Sequence, residues 1–285
     1  MLDWLIGLAC SSFIAWAAWR KQSLSVSGAI AAVIVGTLLY ALGGLPWYGT
    51  LMVFFLTSTM LTKWKHKRKA VVESNYAKSG RRDAGQVVAN GGLGTLLCLG
   101  NSIWPHSLWW AAFMGIMAAV NADTWATEIG GLSRSLPRSI VSGRRVPTGT
   151  SGGITAAGLA ASLSGGLLIG LAGWAFTSTG WGQPISGAAA ASSIVVTSAV
   201  GVIGLLLSGA LGGMAGSLSD SWLGAVWQVM YRCPVCGKEI EKKRHCNDTQ
   251  AIRIRGASWM TNDTVNIISS GIGGAVSAGF IYLYI

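Results

Sequence analysis

Long apolar stretches, interrupted at four places by clusters of basic residues, organise this chain. Apolar runs near residues 3–19, 25–42, 46–62, 86–103, 107–124, 152–175, 188–208 and 263–284 each approach the ~20 residues a helix needs to cross the hydrocarbon core of a bilayer. All 21 Lys and Arg residues lie in segments around 20–21, 63–82, 134–145 and 232–255, whereas the connections 43–49, 101–107 and 177–186 carry no charge. Basic and uncharged connections therefore alternate along the whole chain. Because basic loops are retained on the cytoplasmic side, the pattern predicts an all-α, polytopic transmembrane bundle of about eight helices, with both termini outside. The first span is preceded by Asp3 and by no basic flank, so it reads as a retained helix and not as a cleaved signal peptide.

The stretch 188–230 is too long for one span and too poor in charge for a water-exposed loop. It predicts a crossing helix, a break around Gly209, Gly212, Gly213 and Gly216, and a further helix carrying Asp220 along or into the cytoplasmic interface. A second full crossing would place the basic segment 232–255 outside. Glycines elsewhere in the spans read as close helix packing. Trp47, Tyr48, Trp109, Trp110, Tyr282 and Tyr284 read as interfacial anchors.

A hydrophobic share of 51% with 11% charged residues excludes a disordered chain and argues against an ordinary soluble domain. One membrane domain over 1–285, with a cytoplasmic Cys- and His-containing loop at 231–258, is the simplest organisation, and the cell (plasma) membrane its expected location. The net charge of +11 invites a nucleic-acid reading. Here, however, the cations flank apolar helices, where topology and anionic membrane lipids account for them, and nothing resembles a recognition module. No nucleic-acid partner is expected.

Of ten acidic residues, four lie in or beside apolar sequence: Asp123 and Glu128 in NADTWATEIG, Asp220 in GSLSDSWLGA and Asp263 in TNDTVN. Ionisable groups at such depth are costly and usually line a polar site. The topology puts all four at cytoplasmic helix ends, where they can converge. Such oxygen donors suit Mg²⁺, which takes one or two carboxylates and completes its shell with water and phosphate oxygens; the alternative is that each merely pairs with a loop arginine. Thr124 shares a helix face with Glu128, as does Asn262 with Asn266.

Between these acids runs SRSLPRSIVSGRRVPTGTSGG, which joins Arg134, Arg138, Arg144 and Arg145 to the run Thr148, Gly149, Thr150, Ser151, Gly152, Gly153. That run is expected to open the next helix, where free N–H groups and the helix dipole attract phosphate; a plain cap and turn is the alternative. It is not a Walker A sequence. Arg81 and Arg82, followed by Asp83 and by the in-helix amides of Gln86 and Asn90, form a second candidate anion site, while Lys63 to Lys69 reads as a lipid-facing topogenic run.

NADTWATEIGG, RRVPTGTSGG, GSLSDSWLGA and NDTVN together resemble a family of integral membrane proteins that includes the phytyl-phosphate kinase of tocopherol biosynthesis. The resemblance covers most of the chain. More distantly, Asp123 with Ala126 and Gly130, then Arg145 with Gly149 and Thr150, is similar to phytol kinase, dolichol kinase and CDP-diacylglycerol synthase. Those relatives are CTP-using membrane enzymes. The resemblance implies a nucleoside triphosphate (CTP or ATP), Mg²⁺ and an isoprenoid phosphate lipid at the cytoplasmic face. The synthase's longer Lys-Asp and His-Gly-Gly ending is replaced here by NDTVN, which favours a kinase over a cytidylyltransferase. Phosphoryl transfer depends mostly on positioning and neutralisation of phosphate charge, and these residues supply both.

On this reading Asp123 and Asp220 hold Mg²⁺, with Asn121, Glu128 and Asp263 shaping or completing its shell. Arg144, Arg145 and the turn Thr148, Gly149, Thr150, Ser151, Gly152 cradle the nucleotide. Arg81 and Arg82, with Asn90, Asn262 and Asn266, hold the acceptor. An acceptor monophosphate needs no strong general base, because its second ionisation lies near pH 6, so it is no objection that His66 and His106 are loop residues. The rival readings are an ion-coupled transporter, which also uses broken helices and intramembrane acids, a kinase of a free polyprenol, and a noncatalytic assembly factor. Against a carrier, the polar groups gather at one face and no internal repeat is visible.

Cys233 and Cys236 in RCPVCGKE are followed by His245 and Cys246. The CPxCG turn is half of a zinc knuckle. The second half is irregular, since adjacent His and Cys side chains diverge, which leaves reduced, unliganded thiols as the alternative. Cys10 and Cys98 lie in apolar spans and read as packing residues.

Overall fold

In the computed structural model residues 1–64, 80–178 and 188–284 are described, apart from the side chains of 188–200. The basic run after Trp64, with His66, and most of the uncharged connection 177–186 lie outside the described residues. Among the described residues seven helices carry the fold: α1 (Leu2–Arg20), α2 (Val26–Lys63), α3 (Ala84–Ile103), α4 (Ser107–Gly130), α5 (Ala156–Ser178), α6 (Ala188–Val226) and α7 (Asn262–Tyr284). The helices α1, α2, α5 and α7 and the Gly201–Val226 part of α6 are long and apolar enough to cross a membrane.

Helix α2 has 38 residues, nearly twice what a crossing requires. It is broken at Gly44, whose φ of 69° and ψ of −162° lie in a region open essentially to glycine alone. The two halves are the spans expected at 25–42 and 46–62. Pro46 lies just inside the second half, where its missing N–H costs nothing.

Helix α6 departs from expectation. Its break is at Gly201 (φ 65°, ψ −177°), and the glycines from 209 to 216 lie within one continuous helix. Among the described residues, the part of the helix long and apolar enough to cross is Gly201–Val226. Gly209 instead packs on α5: a Cβ at Gly166 would lie 2.5 Å from the Gly209 carbonyl oxygen, and one at Gly209 2.5 Å from that of Gly166. Glycine clusters serve close packing and helix breaking equally well, so composition did not separate the two. With α2 counted as two halves, the described residues supply eight helical segments.

Helix α4 is the centre of the bundle. Phe113 through Ala122 are buried all round, and the helix packs against α2, α3, α5, α6 and α7. Trp47, Trp110 and Phe113 form an aromatic cluster, with Trp47 and Phe113 centroids 4.4 Å apart. Trp47, Tyr48 and Trp110 are therefore core residues and not interfacial anchors; Tyr282 and Tyr284 do face outward. Cys98 is buried as expected, whereas Cys10 is exposed.

The basic connections meet at one end of the bundle. Lys63 Nζ donates to the Lys21 carbonyl (2.8 Å), Leu24 pairs with Arg82, and Thr62 Oγ1 donates to Glu128 (2.6 Å). Short strands occupy the same end. β1 (Arg138–Ser139) pairs with β2 (Gly153–Ile154). β3 (Met230–Arg232) lies between β4 (Glu239–Ile240) and β7 (Ile252–Arg255), and β5 (Arg244–His245) pairs with β6 (Thr249–Gln250). This last group has its own small core of Val229, Tyr231, Cys233, Ile240 and Ala251.

Candidate functional site

At the basic end, the C-terminal turns of α4 and α6, the N-terminal turns of α5 and α7, the Gly-rich loop and the strand region enclose a cavity of about 550 Å³. Its lining includes Asp123, Asp220, Asp263, Asn262 and Asn266, the whole run Thr148–Gly153, and Lys243. Sequence positions more than a hundred residues apart thus converge as expected. The volume lies within the range of small-ligand sites.

Asp123 and Asp220 are the inner carboxylates, close enough for the Asp220 charge to act on Asp123. Asp220 accepts a hydrogen bond from Ser269 Oγ (3.0 Å), which orients it from α7. Beneath them Ser162 and Ser217 hydroxyls meet at 2.9 Å, stitching α5 to α6. Asp263 lines the same cavity, but among the described residues the three aspartates do not form a tight cluster of metal ligands.

The Gly-rich run does not open α5. The helix begins at Ala156, where Thr155 Oγ1 accepts from the Gly158 N–H (3.0 Å) and caps it. The run is a turn with Gly149 and Gly152 at φ 85° and 82°, ending in β2. Its hydroxyls are partly committed: Thr150 Oγ1 donates to the Pro147 carbonyl (2.8 Å) and Ser151 Oγ to Gln228 Oε1 (2.9 Å). The N–H groups of Gly149, Ser151 and Gly152 have no acceptor among the described residues. The adjacent N–H groups of Ser151 and Gly152, with that of Gly149 nearby, are donors of the kind that line anion-binding concavities.

Several expected site residues stand elsewhere. Asn121 is fully buried, accepting from Thr57 (3.2 Å) and donating to the Gly165 carbonyl (2.9 Å); it ties α2, α4 and α5 together. Glu128 faces α2 and not the cavity, because five residues separate it from Asp123, a turn of about 140° around the helix. It accepts from Thr62, and its charge acts on Arg82. Arg144 and Arg145 are exposed on the hairpin that precedes the turn and do not line the cavity. Arg138 Nη1 donates to the Gly143 carbonyl (3.1 Å).

Arg81 is exposed. Arg82 points into a second, apolar cavity lined by Phe54, Phe55, Tyr48 and Asn90, with its guanidinium over the two phenyl rings at 5.5 and 5.7 Å. Burial pulls that guanidinium down to about 10 while the Glu128 charge opposes the shift. Asp83 and Gln86 form a reciprocal cap on α3, a structural role.

The strand region contributes lining residues that motif reading missed: Gln228, Tyr231, Glu241 and Lys243. Gln228 is the link, accepting from Ser151 and donating through Nε2 to Glu241 (2.9 Å). The signal available was the basic run Lys242, Lys243, Arg244 in a loop already placed at this face. In the same region the ligand atoms of Cys233, Cys236, His245 and Cys246 all lie within 4.8 Å of one another. A backbone hydrogen bond from Cys236 is the main influence holding the Cys233 thiol down to about 6, while hydrogen bonding to Cys236 pushes Cys246 up to about 11.

Comparison with known proteins gives a consistent picture. The family described as integral membrane protein DUF92 matches residues 9–274. Protein PGR of Arabidopsis thaliana is 33% identical over 281 residues, covering 93% of this chain and 91% of its own length. An uncharacterized membrane protein of Methanocaldococcus jannaschii is 28% identical over 210 residues, covering 73% of this chain and 76% of its own. No solved structure matches. Apolar helices of crossing length and a family match over nearly the whole chain lead to one conclusion: this is a multi-pass membrane protein belonging to the integral membrane family DUF92.

Proposed function

We propose that the protein is a kinase that phosphorylates an isoprenoid monophosphate, phytyl or geranylgeranyl phosphate, to the diphosphate, using CTP or ATP at the cytoplasmic membrane face. The observation that carries this reading is the single cavity in which Asp123 and Asp220 share a lining with the turn Thr148–Gly153 and its free N–H groups. Carboxylates for a metal and backbone donors for phosphate are the two parts that phosphoryl transfer requires of a protein.

The donor set fits Mg²⁺. The cavity lining offers carboxylate, amide and hydroxyl oxygens, which suit a hard cation. Asp123 and Asp220 would hold it, and when bound it would neutralise charge on the transferring phosphoryl group. The N–H groups of Gly149, Ser151 and Gly152 bind and orient the nucleotide phosphates. An acceptor phosphate oxygen attacks the γ-phosphorus; the bond to the β-phosphate oxygen breaks, and the nucleoside diphosphate leaves. Lys243, Asn262 and Asn266 are the cavity residues available for the acceptor phosphate, since Arg82 serves a different cavity. The isoprenoid chain lies in the bilayer.

Two features support this reading over its rivals. The site stands at helix ends, whereas a carrier places its site near the bilayer midplane, and the polar residue deeper in α4, Asn121, already has its hydrogen bonds within the bundle. An acceptor phosphate, already ionised near pH 7, needs no general base, whereas a free alcohol would; the described lining supplies carboxylates and backbone donors for phosphate. The test is transfer of γ-labelled phosphate from CTP, with ATP in parallel, to geranylgeranyl or phytyl monophosphate by purified protein in detergent with Mg²⁺. Labelled prenyl diphosphate, absent with Asp123→Asn, is expected. No product with either nucleotide and either acceptor, from folded protein, would end the kinase reading.

A further inference from the structure

The four thiol and imidazole groups of the strand region are a separate chemical feature from the oxygen-lined cavity, and their arrangement is specific. In the first half, the Cys233 N–H donates to the Lys238 carbonyl (3.0 Å) and the Gly237 N–H to the Cys233 carbonyl (2.9 Å), with Gly237 at φ 72°. This tight turn brings Cys233 and Cys236 to the same side. In the second half, adjacent His245 and Cys246 do converge, because Cys246, Asn247 and Asp248 occupy the left-handed region at φ 40°, 58° and 64°. The reversal carries the Cys246 sulfur back to 3.2 Å from His245 Nδ1, while the Cys236 sulfur stands 3.5 Å from the same nitrogen.

Three successive left-handed residues other than glycine carry a backbone cost, greatest at Cys246, since Asn247 and Asp248 tolerate this region better. An Arg244–Asp248 ion pair and a hydrogen bond from Thr249 Oγ1 to the Cys246 carbonyl (2.8 Å) brace the turn, but both partners of the ion pair are largely exposed, where such a pair contributes little. A bound ion would offset the remainder. Around zinc, with bonds of about 2.3 Å to sulfur and 2.0–2.1 Å to nitrogen in a tetrahedron, adjacent S and N ligands stand about 3.6 Å apart, close to the separations here. Three thiols and one imidazole also suit zinc over magnesium or calcium.

We propose that Cys233, Cys236, His245 and Cys246 bind one structural Zn²⁺, and that this ion holds the strand region as the wall that carries Glu241 and Lys243 into the cavity. Glu241 lies between Ile240 of the small core and the ligand His245, so the hairpin that supplies the second pair of ligands is the one that presents Glu241 and Lys243. The metal site stands whatever reaction the cavity performs; only the purpose of the wall rests on the kinase reading.

The test uses the full-length protein in detergent. Elemental analysis of wild-type protein is expected to give about one Zn²⁺ per chain, with Cys236→Ser and His245→Ala falling toward zero and Cys98→Ser unchanged. Because a ligand variant can misfold, the same protein is also stripped with a strong chelator and reloaded with Co²⁺. An intense visible absorption of tetrahedral, thiolate-bound Co²⁺ is expected. Folded wild-type protein that carries no stoichiometric zinc and takes up no Co²⁺ with that spectrum would overturn the site. For the wall, stripped protein should be cut by trypsin at Lys242, Lys243 and Arg244 about tenfold faster than zinc-loaded protein; equal rates would overturn the positioning role. Zinc retained in an inactive Asp123→Asn variant would confirm that the two sites are independent.

Discussion

Asp123 and Glu128 lie five residues apart on α4 and serve different neighbours. Asp123 shares the cavity with Asp220, whereas Glu128 accepts from Thr62 and faces Arg82. Asp123→Asn and Asp220→Asn should each lower phosphoryl transfer by at least about a hundredfold, the scale of losing one electrostatic element of a preorganised site, while melting temperature stays close to wild type. Glu128→Gln keeps an acceptor for Thr62 and should leave transfer within about threefold, with its cost seen in thermal stability. Transfer and melting curves on the three variants check both statements, and an inactive, fully stable Glu128→Gln would return that residue to the site. The residue types of the site were legible in the sequence, because carboxylates in apolar surroundings require a reason to be there. Their phase around the helix was not used, and phase is what separates Asp123 from Glu128. Arg145 shows a second limit: a cation beside the Gly-rich turn in sequence is exposed and does not line the cavity, while Lys243, nearly a hundred residues later, does. Lys243→Ala should raise KM for the acceptor phosphate, and Arg145→Ala should not.

At the level of elements, the helix bounds were legible to within a few residues wherever apolar length and charge agreed, as in α1, α3 and α7. Errors fell where one residue type serves two structures. Glycine run 148–153 has the composition of a helix start, yet Thr155 supplies the cap, and the run became a turn held down on α6. Gly152 is the pivot. A Cβ there would stand 2.4 Å from Ala225 Cβ and 2.8 Å from the Ser221 carbonyl oxygen, and the residue is at φ 82°. Gly152→Ala therefore faces both a clash and a backbone penalty of about 1–3 kcal/mol. The turn should lift from α6, lowering melting temperature and raising KM for the nucleotide together. Gly143→Ala makes a matched control, since Gly143 also has positive φ but open space around a new Cβ; it should cost stability without changing nucleotide binding. If both variants shift KM equally, contact between the turn and α6 is not what shapes the nucleotide site.

For the whole molecule, the gathering of the described basic connections at one end of the bundle makes the cavity an organ of that end. The kinase reading requires that end to be cytoplasmic, as the charge rule predicts, because nucleoside triphosphates are supplied there. Ser135 lies exposed in the cavity-side connection after α4, and Trp104 is 71% exposed in the opposite connection between α3 and α4. Introduced cysteines at these two positions, compared with the parent protein and its five native cysteines, report orientation directly. Trp104→Cys should add labelling by a membrane-impermeant thiol reagent in intact cells; Ser135→Cys should add it only after permeabilisation. The reverse pattern would place Asp123, Asp220 and the phosphate turn outside. The zinc site would then also face an oxidising compartment, where its cysteines would be drawn toward disulfides. A single inverted result would thus remove the nucleotide supply from the cavity and the reducing surroundings from the metal, and both proposals would fall with it.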